Sequence, residues 1–357
     1  MTQDRKAIKI IHPAERADTK KQLLLFLLVT YGVTYASGLL IWYGSAAGMV
    51  TIPVDMTVSN AQMFCPAAGV MFAYLITRWK DDLLPRWFYL WFLLLTTVML
   101  LCALLCILWP GQPIMRNGLS TSRWQQISQS VVSGGSILGW ITLLLSGRKR
   151  RTAYGLSWKQ GKASFLCILA FFVLTLVRAG IFYIASGQAA VILTLLQDET
   201  IWLFLITMPL IFPFSFATFF GEEYGWRYYL QPILQKRFGL RGGVLILGIV
   251  WGLWHIFLDF FFFATPGGPI AALLTRFINC VPMSIFLAWA YLKTDNIWVP
   301  AILHFMNNSM SILLANEYAA RILLNPELTW IVLLSSLIVN GLLFGLFLFA
   351  KEFRKDR

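Results

Sequence analysis

The stretch WFYLWFLLLTTVMLLCALLCILW, residues 87–109, runs for 23 residues without a charged side chain. A helix crosses roughly 30 Å of hydrocarbon with about 20 such residues, so this run is long enough to span a bilayer. It shows no alternation of apolar and polar side chains and no turn residues break it, unlike the short strands of a membrane barrel. The fold it points to is all-α, a polytopic bundle of transmembrane helices.

Working outward, similar runs recur from Leu23 to the last ten residues. Hydropathy and breakers define about ten helices, at 23–44, 60–78, 87–109, 132–147, 163–186, 200–220, 242–263, 271–292, 298–315 and 329–350. The fourth has a weak start, Ser133-Gly134-Gly135-Ser136. Composition agrees: 58% of the 357 residues are hydrophobic and 13% charged, with a mean hydropathy of +0.70. Nothing of the size of a soluble domain is left over.

The net charge of +13 would suit nucleic acid, but the basic residues sit between apolar runs and at the ends, where they act as topology signals. Lys and Arg collect on alternate connections. One set is Arg5, Lys6, Lys9, Arg16, Lys20 and Lys21; then Arg78, Lys80 and Arg86; then Arg148 to Arg151; then Lys236, Arg237 and Arg241; then Lys293; and last Lys351 to Arg357. The opposite connections are poor in both residues: 45–58, 187–199 and 264–270 have none, 110–131 has Arg116 and Arg123, and 316–328 has Arg321. Both termini are therefore expected to be cytoplasmic. The first run is too long for a cleaved signal peptide and lacks a small-residue cleavage site, so it is expected to stay. The basic run at Arg148 divides the chain into a basic tail at 1–21, a four-helix portion at 22–160 and a six-helix portion at 161–357. Cys65, Cys102, Cys106, Cys167 and Cys280 lie in or beside apolar runs and are expected to act as small hydrophobes.

A charged or titratable side chain inside a span costs several kcal/mol unless it is paired or faces a polar cavity, so each marks a candidate site. In Gly221-Glu222-Glu223-Tyr224-Gly225-Trp226-Arg227, Glu223 and Arg227 are four apart and share a helix face, which builds in an ion pair. Glu222 points away and is left free to act as a general base; the bland alternative is that both acids sit wetted at the membrane boundary. In Trp251-Gly252-Leu253-Trp254-His255 the histidine lies near the middle of the seventh span. It is either bonded structurally to a carbonyl or a partner in catalysis, and Asp259 shares its face. In His304-Phe305-Met306-Asn307-Asn308, His304 and Asn308 are four apart and present two donors together, as an oxyanion requires. The alternative is an interhelical hydrogen-bonded pair. Asn307 faces away and is expected to bond elsewhere, and His12 is expected to be a solvated residue of the tail. Glu222, His255 and His304 enter from the same side at similar depth, which favours one shared pocket over three unrelated polar residues.

Glu-Glu-x-x-x-Arg at 222–227, aromatic-x-x-x-His at 251–255 and His-x-x-x-Asn at 304–308, in this order, resemble the CPBP family of intramembrane proteases. That family includes the CAAX prenyl endopeptidase of the Rce type and bacterial relatives linked to bacteriocin processing or self-immunity. The resemblance covers roughly residues 163 to 320 and leaves the first four spans unexplained. Trp251 stands where many members have Phe. The resemblance implies a peptide-bond hydrolase: Glu222 with His255 activates water, His304 and Asn308 hold the oxyanion, and Glu223 with Arg227 supports Glu222. Glu222, His255 and His304 could bind zinc, but the chain has no His-Glu-x-x-His and a water held by Glu and His needs no metal, so no cofactor is expected. The expected surroundings are membrane lipid, with a peptide or lipidated-peptide substrate arriving from the cytoplasmic side, at the plasma membrane, and with no nucleic acid. A non-catalytic scaffold, immunity or regulatory protein that binds a partner through the same polar cavity is the alternative. A transporter ranks behind both, since no inverted repeat is evident.

Overall fold

The computed structural model describes residues 19–46, 52–109, 111–112, 114–116, 119–261, 268–314 and 330–354. The basic tail through residue 18, His12 and the connection at 316–328 with Arg321 lie outside the described residues. The chain is a helical bundle. Its helices are α1 (Thr19–Leu27), α2 (Thr34–Ala46), α3 (Ile52–Gln62), α4 (Cys65–Arg78), α5 (Arg86–Leu108), α6 (Arg123–Leu145), α7 (Gly147–Ala153) and α8 (Gly161–Ala185). They continue as α9 (Ala189–Gln197), α10 (Glu199–Glu223), α11 (Gln231–Trp254), α12 (Ile256–Phe261), α13 (Gly268–Thr294), α14 (Trp298–Leu313) and α15 (Trp330–Leu343). A π-helical turn, Leu28–Val33, joins α1 to α2, and a second, Tyr224–Leu230, joins α10 to α11. A small hairpin pairs β1 (Ile114–Arg116) with β2 (Leu119–Thr121) antiparallel, Ile114 opposite Thr121.

Among the described residues, six helical stretches are long and apolar enough to cross a membrane: Lys20–Gly44, Arg86–Leu108, Arg123–Leu145, Gly161–Ala185, Glu199–Trp254 and Gly268–Thr294. The chain is an integral, multi-pass membrane protein. Glu199–Trp254 contains the sixth of the ten expected spans and residues 242–254 of the seventh. It is not one straight rod, because Gly239, at φ 74° and ψ 165°, leaves the helical region. Beyond it the backbone returns so close that a Cβ on Gly243 would lie 2.5 Å from the Gln235 nitrogen. The second, ninth and tenth expected spans fall on the shorter helices α4, α14 and α15, of 14, 16 and 14 residues. Large apolar side chains such as Leu145, Ile206 and Leu210 are exposed on the outside of the bundle, as lipid permits and water does not.

The weakly apolar start of the fourth span is explained by packing. The helix begins earlier than hydropathy suggests, with Ser122 capping it by accepting from the Gln125 N–H at 3.0 Å. Gly135 and Gly139 let α6 approach its neighbours: a Cβ on Gly135 would lie 2.4 Å from Leu95 on α5, and one on Gly139 3.0 Å from Phe216 on α10. Helix α10 carries Pro209 and Pro213 within it. The Pro213 carbonyl accepts from Trp140 Nε1 at 3.0 Å and the Ala217 N–H approaches Ser136 Oγ at 3.4 Å, so α6 supports the backbone where proline disturbs it.

The connections rich in Lys and Arg gather at one end of the bundle. Arg150 Nε donates to the Asp82 carbonyl at 2.9 Å, and Tyr154 Oη donates to Asp81 at 2.6 Å. Lys159 pairs with Asp295 at 2.6 Å, Lys293 lies 3.8 Å from Glu352, and Arg241 covers the Phe349 ring. The five cysteines are all buried and unbridged.

Candidate active site

Three sequence motifs converge on Trp251. The first lies where α10 passes into the π turn Tyr224–Leu230. Here the backbone must run against the α3–α4 junction. A Cβ on Gly221 would lie 2.5 Å from the Met63 carbonyl, and one on Gly225 would lie 2.3 Å from Pro66 Cβ and 2.7 Å from its carbonyl carbon. Only glycine fits at both, and the two are four apart, as in other small-residue helix contacts within membranes. This contact places Glu222 and Glu223 inside the bundle, 2% and 0% exposed. A π turn shifts the phase of the side chains that follow it and is often found at functional sites.

The two acids take different partners. Glu222 Oε2 accepts from Trp251 Nε1 at 2.7 Å, a short hydrogen bond from a neutral donor. Glu223 Oε1 accepts from His304 Nδ1 at 2.9 Å, while its Oε2 lies 3.2 Å from Arg227 Nε. The Arg227 contact is an ion pair without hydrogen-bond alignment, and the fully buried guanidinium rests on the face of Trp251, 4.8 Å from the ring centre. Glu223 is thus bracketed by Arg227 and an imidazole, whereas among the described residues no cation touches Glu222 directly. The Glu223–Arg227 pair has the spacing expected from the sequence. The bond from His304 to Glu223 links residues 81 apart and needed the fold.

His255 is not in mid-helix as expected: it is the C-cap of α11, where the chain breaks before α12. Its Nδ1 lies 2.9 Å from the Trp251 carbonyl. A carbonyl only accepts, so Nδ1 carries the proton and Nε2 keeps its lone pair. Asp259, whose role was open, does not orient this ring: it binds Arg276 on α13 in a bidentate pair, at 2.6, 3.0 and 3.2 Å. The ring of His304 meets Trp251 and Phe219 edge to face, both at 5.5 Å. Since its Nδ1 is committed to Glu223, Nε2 is the nitrogen left to act. Asn308 Oδ1 accepts from Asn307 Nδ2 at 3.1 Å, leaving its own Nδ2 as a donor. Glu222 lies within electrostatic reach of His304, and His304 of His255. Among the described residues no three His, Cys, Asp or Glu side chains stand together as metal ligands.

The N-terminal helices close the site from one side. Tyr31 donates to the Val250 carbonyl at 2.7 Å, and Trp254 Nε1 lies 3.1 Å from the Thr30 carbonyl and 3.0 Å from Thr34 Oγ1. The first span, together with the α3–α4 junction at Gly221 and Gly225, therefore packs against the candidate site. Sequence reasoning treated Trp251 only as a motif marker and missed its part as the hub. The signal lay in the exchange of Phe for Trp, which adds an indole donor. The spacing Gly221-x-x-x-Gly225 likewise pointed to a close helix contact.

Residues 202–310 match the family described as Type II CAAX prenyl endopeptidase Rce1-like. Over this region the chain is similar to that family. The Rce1-like region contains Glu222, Glu223, Arg227, His255, His304 and Asn308, and it excludes α1 to α9. A protein named CAAX prenyl protease 2, from Methanococcus maripaludis, is 33% identical over 141 residues, covering 38% of this chain and 46% of that protein. The chain thus spans about half the length of the curated relative it matches. No solved structure matches it.

Proposed function

We propose that the chain is an intramembrane endopeptidase that hydrolyses a peptide bond of a membrane-associated substrate with a water molecule activated by Glu222 and His255. The observation that carries this reading is the meeting at Trp251 of a carboxylate free of direct cation contact and two imidazoles. A carboxylate already matched by a cation is a poor proton acceptor, and Glu223 is so matched while Glu222 is not. Glu222 takes a proton from water as the oxygen attacks the scissile carbonyl carbon. His255 Nε2, an acceptor, holds that water's second hydrogen. The oxyanion formed is held by His304, as an imidazolium whose Nδ1–H is given to Glu223 and whose Nε2–H faces the oxyanion, and by Asn308 through Nδ2. Glu222 then delivers its proton to the departing nitrogen, the C–N bond breaks, and the carboxylate is restored. Glu223 and Arg227 hold His304 in orientation.

No step needs a metal. The named relative's substrate class suggests a peptide ending in a prenylated cysteine and three further residues, reaching the site from the basic, cytoplasmic end at the plasma membrane. In purified protein, Glu222→Ala, His255→Ala and His304→Ala are each expected to abolish cleavage of a farnesylated peptide of that form while the protein stays folded. Retained cleavage by Glu222→Ala would overturn the mechanism.

A further inference from the structure

Among the described residues one charged residue lies inside a span without an acidic partner: Arg178, on α8, outside the Rce1-like region. An ionised side chain in an apolar helix is costly, by several kcal/mol, unless something near it uses the charge. Among the described residues no carboxylate lies within ion-pair distance of Arg178. Its guanidinium covers the Phe344 ring at 5.5 Å, and Nη2 donates to Asn307 Oδ1 at 3.4 Å. Asn307 Nδ2 in turn donates to Asn308 Oδ1 at 3.1 Å. We propose that Arg178 is a positioning residue for Asn308, acting through Asn307 to hold the Asn308 amide with its Nδ2 facing the reacting carbonyl. The proposal rests on the hydrolase reading above.

An amide has an acceptor at one end and donors at the other, and a half-turn about its last bond exchanges them. An acceptor turned toward a developing oxyanion would repel it. The Arg178–Asn307–Asn308 chain removes that freedom, because Arg178 can only donate. That fixes Asn307 with its oxygen toward α8 and its nitrogen toward Asn308, and so fixes Asn308 with its oxygen toward Asn307. Each bond in such a chain also polarises the next. A purely adhesive role for Arg178 is redundant, because α8 and α14 are already joined at both ends. Asn296 Nδ2 reaches Ser164 Oγ at 3.1 Å before α14 begins, and Tyr183 Oη donates to the Leu314 carbonyl where it ends.

The test compares Arg178→Gln, Arg178→Lys, Asn308→Ala and the double variant Arg178→Gln/Asn308→Ala, using the farnesylated peptide as probe. Arg178→Gln is expected to lower kcat about tenfold with KM unchanged, within the range by which hydrogen-bonded neighbours couple. Arg178→Lys, which keeps a cationic donor, is expected to recover most of that loss, and the double variant to be no slower than Asn308→Ala alone. Losses that multiply in the double variant, a change in KM alone, or an unchanged kcat would overturn the proposal. A readout that needs no substrate accompanies it: with asparagine side chains labelled with nitrogen-15, Arg178→Gln should move the Asn308 amide resonance, identified by its absence in Asn308→Ala. An unmoved resonance also overturns the relay. If instead Glu222→Ala and Asn308→Ala cleave as fast as the unaltered protein, the hydrolase reading fails, while the resonance still reports on the relay.

Discussion

Replacing Glu223 by Gln keeps the shape of the side chain and removes one charge from a buried set of three groups. Arg227 is fully buried, and among the described residues Glu223 is the sole carboxylate within 4.0 Å of it. In Glu223→Gln the guanidinium keeps only the Trp251 face. Removing one partner of a buried ion pair costs roughly 3–5 kcal/mol, since the other charge is left uncompensated. Glu222→Gln differs physically: an amide oxygen still accepts from Trp251 Nε1 and no direct ion pair is lost, so its cost stays within about 1 kcal/mol. Unfolding of the purified variants in detergent, followed by tryptophan fluorescence, measures both. Cleavage should vanish in each, but only Glu223→Gln should unfold more readily. Glu223→Gln/Arg227→Met removes the stranded charge as well and should regain most of the stability without regaining cleavage. The reasoning is refuted if Glu222→Gln is destabilised as much as Glu223→Gln, or if the double variant is no more stable than Glu223→Gln alone.

Gly225→Val inserts a branched side chain where a Cβ alone would sit 2.3 Å from Pro66; the overpacking should cost at least about 1–3 kcal/mol and abolish cleavage by moving both acids, as measured by unfolding and activity of the same sample. A double-mutant cycle on Asp259→Asn and Arg276→Gln should give a coupling of about 0.5–3 kcal/mol, and additive effects would contradict the bidentate pair. Glu222→Ala separates catalysis from scaffolding in cells: full rescue of a deletion phenotype by this variant would establish the non-catalytic role.

Much of the bundle can be read from the chain because lipid imposes a local rule: a backbone in hydrocarbon must satisfy its own hydrogen bonds, so apolar runs of sufficient length become helices. The alternation of basic connections follows from the same one-dimensional pattern, and in the structure those connections meet at one end. The spacing of Glu223 and Arg227 was equally local, being one turn of helix. Legibility stopped where a partner came from another part of the chain. The indole that holds Glu222 is 29 residues away, and the acid that holds His304 is 81 away. Spacing put Asp259 on the face of His255 and left its role open; Arg276 took it, since a bidentate ion pair outcompetes a neutral ring for a buried carboxylate.

By itself, then, the sequence determined that this is a multi-pass helical membrane protein with acid, imidazole and amide motifs in three separate helices. Which acid pairs with which base, where His255 leaves its helix, and how the first span and the α3–α4 junction pack against the site were decided only by tertiary structure. Periodicity encodes which face of a helix a residue occupies, whereas the partner across the bundle depends on how closely two helices approach, and at Gly221 and Gly225 that distance was set by the absence of two methyl groups.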